Sequence, residues 1–244
     1  MNDLTILYYT ANKIHEFFQK NVIMSLLFTS PADANFVTVC QQDICVLDGP
    51  RNTRIVMGDI GASIYNVYRQ ILIGATAAKT PFVACCEDDT LYAASHFSYR
   101  PSFDTFAYDK ARWVITRGLS ADKKRRIAYF YWRQRHQMAM CIAPRDLLVE
   151  TLEERFRRYP QPIAHDEAKR AGWGEPGRHE KNMRLTFRKM EYFEATEPSV
   201  TFNHNASLMG RRAIQVDDII RDELPVWGTA TELWNRIYGG GPGP

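Results

Sequence analysis

The chain has 244 residues, of which 45% are hydrophobic, 12% aromatic and 24% charged, and its formal net charge is +3. This length suits one large α/β domain, which we place at residues 1–238, followed by a disordered glycine- and proline-rich tail at 239–244. The composition excludes disordered and fibrous proteins, and the small net charge does not by itself indicate a nucleic-acid partner.

Membrane and disulfide-rich classes are also disfavoured. No apolar run approaches the roughly 18 residues that a membrane span needs, and the first residues lack the basic and apolar regions of a signal peptide. We therefore expect a cytoplasmic protein without a membrane partner. The cysteines number five and include no Cys-x-x-Cys pair, which argues against a disulfide framework and a structural zinc site.

The first third of the sequence alternates strand and helix patterns. Leu4–Tyr9 is a predicted strand that enters a helix, Ile14 to about Phe28, through the polar turn Thr10–Asn12. Asn35–Cys40 and Arg54–Met57 are predicted as the next strands. Elements in this order build a parallel sheet.

A second helix and a buried strand follow. Ser63 is predicted to cap a helix that runs to about Ala78 and that Lys79–Pro81 ends. The next run, Phe82–Cys86, is apolar throughout and too short for a helix between its breakers. We predict that it is a central strand buried on both faces.

The rest of the chain is less regular. Candidate strands are Arg112–Thr116, Arg126–Trp132 and Ser199–His204, and candidate helices are Leu147–Tyr159, Asp217–Leu224 and Thr229–Ile237. Gln161–Asn182 contains prolines, glycines and charges without periodicity, which indicates a functional or mobile loop. The predicted fold is a single α/β domain with a central, mostly parallel sheet flanked by helices.

Three adjacent carboxylates, Glu87, Asp88 and Asp89, directly follow the predicted central strand. Ligands of open α/β sheets bind outside that carboxyl edge. Adjacent carboxylates repel one another, whereas a hard divalent cation favours such oxygen ligands and cancels the repulsion. The acidic triplet therefore predicts a metal site, and the alternative is a solvated acidic turn or a helix cap before Thr90–Tyr92.

This order of elements, closing on an apolar strand and Glu-Asp-Asp, resembles the GT-A (Rossmann-like) fold of nucleotide-sugar-dependent glycosyltransferases, whose Asp-x-Asp motif stands at the same place. The resemblance implies that Asp89 coordinates Mn²⁺ or Mg²⁺ bridging the diphosphate of a nucleoside-diphosphate sugar, with a UDP-sugar as the first choice. It implies that Glu87, which replaces the usual first aspartate, contacts the ribose or the metal, and it places Asp88 among the donor-binding residues. In this family the turn after the first strand commonly binds the nucleotide base, and the resemblance therefore implies that Thr10 and Asn12 contact the donor.

His204 lies late in the chain, within Thr201–Ala206. It resembles the late histidine that many metal-dependent GT-A enzymes use as an additional metal ligand, and the alternative is a structural histidine. Arg211 and Arg212 follow, and guanidinium groups match phosphate geometry in a bidentate manner. We expect these arginines to balance the donor diphosphate, the alternative being surface charges.

An inverting transferase needs a general base to take the acceptor hydroxyl's proton, and a carboxylate is the usual choice. The family places this base in a loop between the metal motif and the late strand, where the sequence offers Asp166, Glu167, Glu175 and Glu180. Asp166 is our first choice and Glu175 our second, against the alternative of ordinary exposed acids. Trp173, between two glycines, is expected either to close over a sugar or stack on a base, or to anchor the loop.

Residues 123–136 interleave basic and aromatic side chains, a pattern that suits phosphate neutralisation and base stacking. The alternative is a hairpin with a solvated basic tip followed by a core strand. Size, basic character and the run from His204 to Arg212 are similar to those of phage enzymes that glycosylate hydroxymethylated pyrimidines in DNA. This resemblance implies a 5-hydroxymethylpyrimidine in double-stranded DNA as acceptor and, for a viral protein, the host cytoplasm.

The sequence thus predicts a metal-dependent glycosyltransferase, and three alternatives stay open. In the first alternative, the enzyme is a glycosyltransferase whose acceptor is a saccharide or another small molecule. In the second, it is a sugar-phosphate nucleotidyltransferase. In the third, the chain is a non-catalytic nucleic-acid-binding module built on residues 123–136. Nucleotidyltransferases usually carry an early glycine-rich phosphate loop, and Leu4–Lys13 contains no glycine.

Overall fold

A computed structural model describes residues 3–44, 49–119, 126–132, 137–163, 173–178, 180–205 and 219–239. The helices in these ranges are α1 (Glu16–Thr29), α2 (Ile64–Ala77), α3 (Arg145–Arg158), α4 (Glu180–Met183) and α5 (Ala230–Tyr238). The strands are β1 (Leu4–Thr10), β2 (Asn35–Cys40), β3 (Asn52–Val56), β4 (Phe82–Glu87), β5 (Thr90–Leu91), β6 (Thr105–Asp109), β7 (Arg112–Leu119), β8 (Arg126–Trp132), β9 (Cys141–Pro144), β10 (Lys189–Phe193), β11 (Ser199–Phe202), β12 (Ile219–Arg221), β13 (Glu223–Leu224) and β14 (Gly228–Thr229). No helix in the described ranges has the length and apolar character needed to cross a lipid bilayer.

The larger sheet has seven strands in the order β10-β6-β9-β4-β1-β2-β3. Neighbouring strands run parallel except where β9 pairs with β4 and β6. The predicted α/β fold, with a mostly parallel central sheet flanked by helices, is therefore confirmed. β4 lies at the middle of this sheet, between β9 and β1, as its uninterrupted apolar sequence indicates.

Alternation along β4 explains why the strand is apolar throughout. Val83 and Cys85 are buried on the face covered by α2 and α3, whereas Ala84 and Cys86 are buried on the opposite face with α1. Only the last residue, Glu87, is partly exposed. Packing on both faces fixes the strand and hence the position of the residues that follow it.

β5 carries the chain from the larger sheet into a smaller sheet of five strands, in the order β12-β8-β7-β11-β5. β11 pairs antiparallel with β5 and parallel with β7. The hydroxyls of Thr90 and Thr201 lie 3.0 Å apart, and the Phe202 amide donates to the Asp89 carbonyl at 2.8 Å. Both sheets therefore fix the turn between β4 and β5.

The predictions for the C-terminal region are partly wrong. Within the described part of Asp217–Leu224, the predicted helix is replaced by β12 and β13. β12 pairs antiparallel with β8, so the β-branched Ile219 and Ile220 extend a sheet edge, an environment that suits their side chains better than a helix. The helix predicted for Thr229–Ile237 is confirmed as α5, which begins with a capping box.

Candidate functional site

The acidic triplet lies at the edge of the larger sheet where β1, β2 and β4 end. Tyr9 of β1 is the lateral neighbour of Glu87 in β4, and Thr10 is the lateral neighbour of Cys40 in β2. Open parallel sheets bind their ligands outside this edge. The structure thus brings together the polar ends of β1 and β4 that the sequence singled out.

The carboxylates of the triplet have different partners. The Tyr9 hydroxyl donates to Glu87 Oε1 at 2.9 Å. Thr10 Oγ1 donates to Asp88 Oδ2, whereas Asp89 Oδ2 lies 3.3 Å from His204 Nε2. The three carboxylates therefore have different neighbours. Glu87 and Asp88 accept hydrogen bonds from residues of β1, whereas Asp89 faces the histidine that follows β11.

Crowding of the carboxylates shifts their ionisation. Burial raises the pKa of Glu87 to about 8, and the charge of Asp89 adds to this effect while the hydrogen bond from Tyr9 opposes it. Burial also raises the pKa of Asp88 to about 6, with a further contribution from Asp89 and opposition from Thr10. Neighbouring carboxylates do not all ionise readily. A positively charged ligand at this edge would relieve that cost.

Asp89 and His204 form a buried pair, although 115 residues separate them along the chain. Burial lowers the pKa of His204, but the hydrogen bond to Asp89 and the charges of Asp89 and Asp88 outweigh it, so this pKa lies above its ordinary value. The other ring nitrogen, Nδ1, is buried without a hydrogen-bond partner in the described part of the chain. Two of the predicted metal ligands are thus in contact.

The Asp89–His204 pair fits part of a divalent metal site. Ligands in adjacent positions around an octahedral Mg²⁺, each at ~2.1 Å, lie about 3.0 Å apart, close to the 3.3 Å between Oδ2 and Nε2. Within the described ranges, no three His, Cys, Asp or Glu side chains come together as a group that could hold a metal, so Glu87 does not complete a set with this pair. Mg²⁺ usually takes one or two carboxylates together with water and substrate phosphates, so Asp89 suits this ion better than the imidazole of His204 does. The pair therefore provides at most two ligands for a divalent ion.

Thr10 and Asn12 form a braced turn after β1. Thr10 Oγ1 accepts from the Asn12 amide at 2.8 Å and from the Gln19 side chain at 3.2 Å. Asn12 has a positive φ of 54°, and its Oδ1 accepts from the Gln41 and Gln42 amides at 2.9 and 3.0 Å. Both side chains thus help to fix the ends of β1 and β2. Their contact with a donor stays a prediction.

Glu175 lies in the short described segment Trp173–Arg178. Its side chain is partly buried, and its charge contributes to the raised pKa of Glu87. Glu180, another candidate base, is buried and accepts from the Gly177 amide at 2.8 Å, which gives it a structural role. The remaining predicted site residues lie outside the described ranges: Asp166, Glu167, Arg211 and Arg212.

Trp173 is buried in an aromatic cluster. Its ring stacks on Tyr65 at a centroid distance of 5.3 Å and meets Tyr68 edge-on at 6.0 Å. The guanidinium of the fully buried Arg155 lies 4.6 Å from the centre of the Tyr68 ring and 5.6 Å from that of Trp173. Of the two roles predicted for Trp173, the structure shows the anchor.

Sequence reasoning missed Tyr9, Tyr108 and Arg155 as residues that shape the site. Arg155 stands in a basic run that resembles a solvated helix face. Its spacing from Leu148 and Leu152, at i+7 and i+3, nevertheless places it on the buried stripe of α3. That periodicity was the available signal, and Tyr9 and Tyr108 had none beyond their places in apolar runs.

The aromatic residues of the segment 123–136 are only partly accessible. β8 covers 126–132, and its Phe130 and Tyr131 are buried in the protein. These two side chains are therefore unable to stack on nucleic-acid bases. Residues 123–125 and 133–136, which hold most of the basic side chains, lie outside the described ranges.

The sequence matches no protein-family model and no curated protein sequence. Among solved structures, the fold is similar to a nucleotidyl transferase from Methanothermobacter thermautotroptrophicus, with 11% identity and a TM-score of 0.42 over 81% of this chain and 89% of that one. It is similar to 2-C-methyl-D-erythritol 4-phosphate cytidylyltransferase from Thermus thermophilus, with 11% identity and a TM-score of 0.46 over 80% and 89%. It is also similar to the glycosyltransferase GlyE of Streptococcus pneumoniae TIGR4, with 8% identity and a TM-score of 0.41 over 80% and 46%. At these values the similarities assign no activity to this chain.

The raised pKa values predict that the metal-free chain loses stability as pH rises. The Glu87 carboxyl has an ordinary pKa of 4.5 and a folded pKa of about 8, so the folded state binds more protons between these values. The contribution of Glu87 to the free energy of unfolding is complete below pH 4.5 and is lost as pH rises to 8. Asp88 changes the free energy of unfolding in the same direction between pH 3.8 and about 6. Urea unfolding in EDTA should show a loss of about 3 to 5 kcal/mol from about pH 5 to 8. Glu87→Gln should remove most of this loss and the exposed Glu153→Gln should keep it, while a wild-type stability that rises over this range would contradict the shifts.

Proposed function

We propose that this chain is a metal-dependent glycosyltransferase that moves a sugar from a nucleoside-diphosphate sugar to an acceptor hydroxyl. The observation that carries the proposal is the buried Asp89–His204 pair at the carboxyl edge of a mostly parallel sheet. Open α/β sheets bind nucleotides at this edge, and a carboxylate–imidazole pair suits a divalent ion that also contacts phosphate oxygens. The donor we propose first is a UDP-sugar.

Asp89 and His204 would hold the metal, either Mn²⁺ or Mg²⁺. When bound, the ion supplies stabilisation of the negative charge on the leaving diphosphate. Glu87 stays a proposed contact of the ribose, and the Tyr9 hydroxyl donates to one of its carboxylate oxygens. Arg211 and Arg212 are proposed, on their sequence position, to balance the same diphosphate.

The transfer itself is a displacement at the anomeric carbon. The acceptor oxygen forms a bond to this carbon while the bond to the donor diphosphate breaks, and the electron pair leaves with the nucleoside diphosphate. A base takes the acceptor's proton. We propose Glu175 for this step because it is a partly buried acid in the described part of the loop and its charge contributes to the raised pKa of Glu87, with Asp166 as the alternative. A single displacement of this kind inverts the anomeric configuration.

As acceptor we propose a 5-hydroxymethylpyrimidine in double-stranded DNA. The support is the basic sequence flanking β8, since cationic side chains neutralise phosphates. The burial of Phe130 and Tyr131 argues against the stacking of these two side chains on nucleic-acid bases. Saccharides and other small hydroxyl compounds are therefore assayed beside the DNA.

Calorimetry on the purified chain tests the proposal. Nucleoside diphosphates should bind in the presence of Mn²⁺ and not in EDTA. Incubation with nucleotide-sugars and Mn²⁺ should then add one glycosyl unit to hydroxymethylated DNA or to a small acceptor, as read by mass spectrometry. Absence of metal-dependent binding for every nucleoside diphosphate would overturn the proposal.

The same assays separate the alternatives. Pyrophosphate release from a nucleoside triphosphate and a sugar phosphate would identify a nucleotidyltransferase, although the turn from Thr10 to His15 has no glycine-rich phosphate loop. Nucleic-acid binding that weakens steeply with salt and is indifferent to Asp89→Ala would identify a non-catalytic binding module.

A further inference from the structure

The segment that carries Glu175 is fixed on both sides by buried hydrogen bonds. Arg155 Nη1 donates to the carbonyl of Gly174, directly before Glu175, at 2.9 Å. The Tyr108 hydroxyl donates to the carbonyl of Pro176, directly after Glu175, at 2.8 Å. Both donors are fully buried. The peptide groups flanking this one carboxylate are therefore tied to α3 and to β6.

Packing restrains the same segment further. Trp173 is buried in the aromatic cluster of α2 and α3, and the Gly177 amide donates to Glu180 at 2.8 Å. Gly177 has a φ of +86°, and an added Cβ would lie 2.5 Å from Cβ of Met190 in β10. A short loop held in this way keeps its side chains in place without regular secondary structure.

The burial of the Arg155 guanidinium costs free energy. Its Nε and Nη2 atoms are buried with no hydrogen-bond partner in the described residues, and burying a charged group without pairing it costs free energy. The faces of Tyr68 and Trp173 offset part of this cost by cation–π contact. A hydrogen bond of 2.9 Å from Arg155 ends on the carbonyl next to Glu175.

We propose that Tyr108 and Arg155 are positioning residues that hold Glu175 in a fixed place. The proposal rests on the proposed function, in which Glu175 takes the acceptor's proton. A base must stand within hydrogen-bond reach of that proton, and a displacement of about 1 Å can lower the rate by about 100-fold. Tyr108 and Arg155 act through Glu175 and touch no reacting atom.

Tyr108→Phe is the decisive variant because it removes one hydroxyl and leaves the ring. Arg155→Met would also unpair the Gly174 carbonyl but would open the aromatic cluster and risks unfolding the chain. Tyr65→Phe is the matched control, since the Tyr65 hydroxyl also donates to a proline carbonyl, that of Pro160, at 2.9 Å. Both tyrosines are buried, and only one adjoins Glu175.

Two measurements test the proposal. Tyr108→Phe should lower kcat by about 10- to 100-fold with little change in the donor KM, whereas Tyr65→Phe should not. In a Glu175→Gln background, Tyr108→Phe should change kcat by less than about twofold, because the group it positions is already lost. Hydrogen exchange of the amides in 173–178, measured by mass spectrometry, should rise in Tyr108→Phe and stay at the wild-type level in Tyr65→Phe.

The outcomes separate the two proposals. Unchanged exchange in Tyr108→Phe overturns the positioning proposal whatever the activity. An equal loss of kcat from Tyr108→Phe with and without the Glu175 carboxylate overturns it as well. A wild-type chain that transfers no sugar from any donor overturns the proposed function instead, and the exchange comparison still decides whether Tyr108 holds the segment.

Discussion

Asp89→Ala is expected to lower turnover by at least about 10³-fold while the chain stays folded. The substitution removes the carboxylate that would hold the metal and leaves His204 without its 3.3 Å partner. It does not remove the hydrogen bond from the Phe202 amide, which ends on the backbone carbonyl of residue 89. Steady-state turnover and a thermal melt on the same sample check the two parts of this expectation, and Mn²⁺ calorimetry should show weaker metal binding.

The His96–Asp109 pair provides the matched control. Its Nδ1–Oδ2 distance is 2.9 Å and both side chains are fully buried, but Asp109 also accepts from the amides of Ala111 and Ala195. Asp109→Asn should therefore lower the melting temperature without changing Mn²⁺ affinity. Mn²⁺-dependent turnover that survives in Asp89→Ala would exclude Asp89 as a metal ligand.

Glu175→Gln is expected to lower kcat by about 10² to 10⁴-fold with the donor KM nearly unchanged. Glutamine keeps the size of the side chain and its hydrogen-bonding capacity but does not accept the acceptor's proton at neutral pH. The acidic limb of the pH profile of kcat, where the wild-type base becomes protonated, should disappear in the variant. Initial rates at saturating donor over a range of pH values measure both effects.

Glu153→Gln on the exposed side of α3 is the control for the loss of one negative charge. It should leave kcat within about twofold of the wild type, since exposed charges interact weakly with distant groups. Wild-type turnover in Glu175→Gln would show that another acid is the base, and Asp166 would be the next residue to substitute.

The central part of the fold could be predicted because its signals are local. Phe82–Cys86 is an apolar run between breakers, and the structure confirms it as a strand buried on both faces. The triplet follows that strand, so its place at the sheet edge comes from chain order alone. The approach of His204 to Asp89 is different, because it depends on the pairing of β11 with β5 and was expected only from resemblance to a family.

Other strands have no comparable local signal. β9 is four residues long, ends in a proline and enters the larger sheet antiparallel between β4 and β6. β10 mixes charged and aromatic residues at the sheet edge. Strands of this kind are specified by partners distant in sequence, since strand preference reflects cross-strand packing more than intrinsic propensity.

The surroundings of Glu175 show the same limit. Sequence offered several acids in one irregular loop and no means of choosing between them. The distinction comes from contacts between remote elements, in which Tyr108 of β6 and Arg155 of α3 meet the carbonyls on either side of a single glutamate. Neither donor carries a motif, and helical spacing indicates only that Arg155 is buried, so the assembled fold is needed to identify their hydrogen bonds.

The turn between β4 and β5 has a thermodynamic consequence. Asp89 follows a strand of the larger sheet, whereas His204 follows a strand of the smaller one. An ion bound by both side chains would link the two sheets. It would bind only to states of the protein in which Asp89 and His204 stay close together. At a concentration 100 times its Kd, such a ligand adds about 2.7 kcal/mol to the stability of the folded state. Under the proposed function, binding of the metal would therefore stabilise the junction of the two sheets.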